Sequence, residues 1–88
     1  MRLRICTLLG SVSSAEFAAL RDELDVADSV LSKHLKTLSD AGYVTITKSR
    51  PQPGRPVTWA GLTREGKRAL ASHIAALQQL VAQVERAP

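Results

Sequence analysis

The sequence predicts a mainly α domain carrying one small β-hairpin, in the order helix, helix, helix, strand, strand, helix. Three observations predict it. Residues 28–43, DSVLSKHLKTLSDAGY, drawn at 3.6 residues per turn, put Leu31, Leu35 and Leu38 on one stripe and polar or cationic side chains on the other faces. Two stretches of strand-favouring residues, YVTITKS at 43–49 and VTWA at 57–60, flank a segment with three prolines and one glycine. Residues 63–85 then repeat apolar side chains at alternating spacings of four and three, over a length greater than a small core requires.

Taken in order, residues 2–10 set Leu3, Ile5, Leu8 and Leu9 at helical spacing with Arg2 and Arg4 outside, and Gly10 closes this first helix. Ser13 with Glu16 three residues later reads as a capping box, and Val12 with Phe17 as its hydrophobic staple. The second helix therefore starts at Ser13 and runs to about residue 24, with Phe17, Leu20 and Leu24 turned toward the first and third helices. Asp25, Val26 and Ala27 form a short turn of the length a helix-turn-helix uses, with Val26 plugging the core. Ala27 has no capping oxygen, so Asp28 or Ser29 is expected to satisfy the early N–H groups of the third helix. An acidic Asp28 suits the helix dipole and opposes a nearby phosphate. Gly42 ends this helix in the left-handed C′ position.

Residues 50–56, RPQPGRP, are too long and too proline-rich for a two-residue turn, and read as an extended, projecting loop that carries Arg50 and Arg55. Thr63 caps the fourth helix and Glu65 sits in its first turn. Leu70, Ile74, Leu77, Val81 and Val84 form its seam, with Leu80 beside them. Such a helix is about 33 Å long, so its later part is expected to meet a second copy of the chain in a homodimer. The expected organisation is a core at 1–62 and a dimerisation helix at 63–88, packed on the same domain.

At 88 residues this is one domain, and a monomer of that size buries little more than ~60% of its unfolded surface, so a partner subunit would add to a thin margin. The formal net charge is +4 and is unevenly placed. Residues 33–68 hold eight basic and two acidic groups, while the remainder holds four basic and six acidic. The excess follows the third helix, the hairpin and the next helix start, which points to a polyanionic partner. A cationic helix can fill a major groove and an Arg/Gly/Pro hairpin can lie along a neighbouring groove, so the chain has the parts of a duplex DNA reader. The single cysteine, Cys6, excludes an internal disulfide, and no Cys/His spacing suits zinc. No metal or cofactor is expected. No signal-peptide pattern opens the sequence, and no apolar run approaches the roughly 18 to 20 residues of a membrane span, so the expectation is a soluble cytoplasmic domain with no membrane partner.

The stretch VLSKHLKTLSDAGYVTITKS, followed by GRPVTWAGLTREGKRAL, resembles the reader helix, wing strands and next helix start of the winged helix-turn-helix transcription regulators of bacteria and archaea. It is most similar to the small stand-alone proteins related to the MarR and ArsR families, and the resemblance covers nearly the whole chain. What it implies is a winged helix-turn-helix fold and a sequence-specific regulator of double-stranded DNA, read as a homodimeric repressor on an inverted-repeat operator. Position by position, it places Ser29, Val30, Ser32, Lys33, His34, Lys36 and Thr37 on the DNA-facing side of helix 28–41, in the major groove. It also places Arg50, Gly54 and Arg55 in wing 50–56, at the minor groove or backbone. Lys33, Lys36 and Arg55 carry most of this reading. Ala27 departs from the Ser or Thr usual at that helix cap, and nothing in the resemblance names an operator or an effector.

Each assignment has a plainer counterpart. Lys33 and Lys36 also suit a solvated helix face, and His34 lies nearer the buried stripe, where packing competes with base contact. Cys6, among apolar neighbours, reads as a small packed hydrophobe rather than a redox sensor. Trp59 reads as a packing anchor of the hairpin, since one aromatic does not make a surface for single strands. Ser13 and Glu16 are accounted for by capping, and no nucleophile, base and orienting acid line up elsewhere, so no enzyme is expected. The competing function is a winged-helix module used for protein contacts, which salt separates from DNA binding through phosphates.

Overall fold

Three helices bury apolar residues against a small sheet because those residues recur every three or four positions. Ile5 and Leu9, Leu20 and Leu24, then Leu31, Leu35 and Leu38 are all buried, and Val44 and Ala60 meet them from the sheet. The structure, a computed structural model, describes residues 1–49 and 56–87. Its elements are α1 (Arg2–Gly10), β1 (Ala15–Glu16), α2 (Phe17–Leu24), α3 (Asp28–Asp40), β2 (Val44–Ser49), β3 (Val57–Leu62) and α4 (Arg64–Arg86). The mainly α winged architecture expected from the sequence is present, with one addition. The sheet has three strands in the order β1-β3-β2, all antiparallel.

That added strand overturns the capping box. Ala15 and Glu16 pair with Ala60 and Trp59, so the backbone that would have opened the second helix belongs to the sheet. Helix α2 begins at Phe17, with Glu16 in extended geometry at the N-cap and no side-chain cap bond, while Val12 remains exposed. Gly61 permits the crossing: a Cβ there would lie 2.8 Å from the Ser13 carbonyl oxygen.

The turn between α2 and α3 is tight because Asp25 adopts a left-handed conformation, φ 53, which an aspartate tolerates better than most residues. Val26 is packed against the core as expected. Neither Asp28 nor Ser29 caps α3. Ala27 occupies the N-cap without a side-chain bond, and its carbonyl accepts the N–H groups of both Val30 and Leu31 at 3.1 Å. Asp28 is thereby already helical, and its carboxylate turns to Arg21 instead.

The end of α3 follows its sequence closely. Gly42, at φ 84, lets Tyr43 N–H donate to Leu38 O at 2.9 Å and Gly42 N–H to Ser39 O at 3.0 Å, a Schellman closure. Thr63 then ties three elements together. Its hydroxyl donates to Gly42 O at 2.7 Å and accepts Gly66 N–H at 2.9 Å, while its own N–H donates to Tyr43 O at 3.0 Å.

Helix α4 leaves the body it starts on. Leu70 is partly buried and packs against Gly10 of α1, but exposure then rises from 38% at Ile74 to 74% at Val84. The radius of gyration, 15.5 Å, exceeds the ~12 Å of a compact chain of this length. No helix among the described residues is long and apolar enough to cross a membrane.

Candidate nucleic-acid interface

Burial of Leu31, Leu35 and Leu38 fixes which side of α3 faces outward. Ser29, Val30, Ser32, Lys33, Lys36 and Thr37 are all exposed, so six of the seven residues nominated on this helix share the outer surface. His34 is the exception. It is partly buried, with Nδ1 buried and lacking a hydrogen-bond partner among the described residues, in keeping with its place beside the apolar stripe. The Thr37 hydroxyl donates to Lys33 O at 3.0 Å, which leaves its oxygen only as an acceptor toward the outside.

Lys33 and Lys36 are the cations of this surface. Lys36 Nζ lies 3.4 Å from Asp40 Oδ2, with both side chains largely exposed; such a pair contributes little and yields readily to a phosphate. Asp28, the acidic group at the start of α3, is paired with Arg21 at 3.1 Å, and Arg21 also holds Asp22 at 3.1 Å. Hydrogen bonds to Asp28 and then Asp22 hold the Arg21 guanidinium above its already high ordinary pKa.

Beside α3 stands the hairpin. Its register runs from Val44 opposite Leu62 to Ser49 opposite Val57. Val44 and Ala60 turn inward, so Ile46 and Lys48 share their side of the sheet and face the flank of α3. Sequence reasoning did not nominate Lys48. The alternation of Val44, Ile46 and Lys48 was the available signal, and it places this lysine toward α3. Trp59 lies on the opposite face, 37% exposed, and its indole N–H donates to Ser49 Oγ at 3.2 Å, so it braces the hairpin across strands without entering the core. Arg50, Gly54 and Arg55, the nominated wing residues, lie outside the described residues.

Cys6 is half-buried and free, and burial raises its thiol pKa, the environment of a packed hydrophobe. Along α4, Ile74, Leu77, Leu80, Val81 and Val84 form the exposed apolar surface anticipated from their spacing, whereas Leu70 is partly covered within its own chain.

A short helix, a tight turn, a helix with Lys33 and Lys36 on its outward face and a hairpin at its shoulder define a winged-helix domain. A family profile described as winged helix DNA-binding domain matches residues 1–81, and the chain belongs to that family. It is 33% identical over 85 residues to an uncharacterized protein of Methanocaldococcus jannaschii, covering 97% of this chain and 91% of that protein. Among solved structures it is similar to a transcriptional regulator homologue protein from Pyrococcus horikoshii OT3, with a TM-score of 0.87, 24% identity, and coverage of 94% of this chain and 81% of that one. A PadR family transcriptional regulator from Eggerthella lenta gives 0.78 at 19% identity, over 97% and 78% of the two chains. Bacillus subtilis PadR in complex with operator DNA gives 0.73 at 18% identity, over 83% and 45%. At these identities the solved structures establish the winged-helix fold. Two of these structures are named as PadR or PadR family regulators, so the MarR and ArsR naming is only approximate.

Proposed function

We propose that the protein is a sequence-specific regulator of transcription that binds duplex DNA as a homodimer. Helix α3 lies in the major groove, and the hairpin, with Arg50, Gly54 and Arg55, lies along the adjacent minor groove or backbone. The observation that carries this reading is the outer face of α3, where Lys33 and Lys36 are exposed among small polar side chains and the one acidic group at the helix start is paired with Arg21. Residues 1–62 serve as the reading core, and α4 serves as the pairing element through Ile74 to Val84. Two-fold pairing presents two reader helices to an inverted repeat whose half-sites lie about one DNA turn apart or a multiple of it. Repression is the simplest consequence of occupying such a site, and the compartment that fits is the cytoplasm.

The test is a selection of bound fragments from genomic DNA, followed by titration of the recovered site at increasing salt. A dimer neutralising 6 to 10 phosphates should lose roughly 10³- to 10⁵-fold in affinity between 50 and 200 mM salt. A protein-contact module would recover no common sequence, and its partner affinity would change little with salt.

A further inference from the structure

Between the start of α3 and the hairpin lies a cleft of about 360 Å³. Its floor is apolar, made by Phe17, Leu35 and Ile46, and its polar groups come from three different elements: Ser32 of α3, Lys48 of β2 and Thr58 of β3. Strand alternation explains the convergence. Val44 is buried, which sets Lys48 on the same side of the sheet, and the register puts Lys48 directly opposite Thr58. Asp28 also lines the cleft, but its Oδ1 is held by Arg21 at 3.1 Å. The ion pairs among the described residues involve Arg21 and Lys36, so Lys48 has no carboxylate partner there.

We propose that this cleft holds one backbone phosphate of the bound duplex, with Lys48 supplying the charge and the hydroxyls of Ser32 and Thr58 donating to the phosphate oxygens. The inference rests on the docking proposed above. When α3 occupies the major groove and the hairpin the adjacent minor groove, the sugar–phosphate strand separating the two grooves must pass between them, over this cleft. A lysine and two hydroxyls are donors suited to a phosphate and carry no base information, so the contact fixes the register of the protein on the duplex. The apolar floor keeps water from competing on one side, which strengthens charge-assisted hydrogen bonds made there.

The experiment uses the 88-residue protein and duplexes that the wild type selects from a random-sequence pool, resynthesised with a neutral methylphosphonate at one phosphate at a time. Wild type, Lys48→Met and Thr58→Val are titrated against each duplex, with thermal unfolding as the check on folding. We expect one phosphate per half-site at which neutralisation weakens the wild type about tenfold and weakens Lys48→Met distinctly less. On unmodified DNA, Lys48→Met should lose about one unit of the salt slope. Thr58→Val, which keeps shape and removes the donor, should diminish the contribution of that same phosphate. The clamp is overturned if Lys48→Met remains as sensitive as wild type at every position, or if it keeps the wild-type salt slope. A pool that yields no bound DNA would overturn the proposed function itself, and the clamp with it.

Discussion

Arg21 Nη1 lies 3.1 Å from Asp28 Oδ1, joining the second helix to the first residue of α3. The same guanidinium holds Asp22 through Nε. This relationship eases a conflict visible in the sequence, where an acid at the start of α3 suits the helix dipole yet would repel a nearby phosphate. Arg21, shared with Asp22, offsets part of that charge.

Arg21→Met should therefore weaken DNA binding more at low salt than at high salt, because it exposes an uncompensated carboxylate beside the bound strand. Asp28→Asn in the Arg21→Met background should restore most of the loss. Fluorescence anisotropy titrations at two salt concentrations measure both effects. Equal losses in the single and double variants would show that Arg21 acts by some route other than Asp28.

Thr63 and Gly66 offer a test of stability independent of DNA. Thr63→Ala removes an N-cap acceptor and the hydroxyl bond to Gly42 O, and should cost about 1 to 2 kcal/mol, with a lowering of the melting temperature by roughly 4 to 8 °C per kcal/mol. Gly66→Ala should cost more than Thr63→Ala, although alanine is the better helix former, because the added Cβ would run into the Tyr43 carbonyl. Thermal unfolding by circular dichroism decides it. A Gly66→Ala protein as stable as wild type would mean that α4 can shift away from Tyr43 freely.

The helices were legible from their apolar stripes, and the Schellman closure at Gly42 and the Thr63 cap follow their sequence signals, whereas the starts of α2 and α3 do not. Strand β1 was not legible, since its two residues are strand only by pairing with Ala60 and Trp59, more than forty positions away. The local pattern of Ser13 and Glu16 fitted a capping box, but sheet pairing won. Lys48 was half legible: its alternation with Val44 and Ile46 is local, but its place opposite Thr58 depends on the register with β3. On α3 the outer face followed from periodicity alone, and only His34, at the border of the stripe, sits deeper than the other nominees.

Lys33→Ala and Lys36→Ala should each weaken duplex binding, and the manner of weakening identifies the contact. Loss of a phosphate contact affects all sequences alike and lowers the salt slope by about one, whereas loss of a base contact relaxes one position of the site at a cost of ~1 to 3 kcal/mol. Lys36 should behave as the former. Its ion pair with Asp40 is exposed and gives way easily. Unchanged affinity in a folded double variant would remove this face of α3 from the interface.

The last expectation concerns assembly through α4. Its first turns are held to α1, where Leu70 meets Gly10, but beyond Ile74 no part of the chain's described residues covers the apolar side, and Leu77, Leu80, Val81 and Val84 stand exposed. Burying four such side chains against a second copy would contribute several kcal/mol at about 1.5 to 3 kcal/mol for each one fully buried, before the entropy lost on association. An uncovered stripe at alternating spacing has a natural partner in itself, because a two-fold axis brings the same face of both helices together. Leu77→Glu combined with Val81→Glu should therefore give monomers by sedimentation, since paired glutamates at the centre of the seam repel one another and lose their hydration. The monomer should retain the fold, because neither side chain belongs to the buried core, yet lose most of its affinity for a two-half-site duplex while keeping that for a single half-site. A wild-type protein that sediments as a monomer at tens of micromolar, or a double variant that remains dimeric, would exclude this helix as the pairing element.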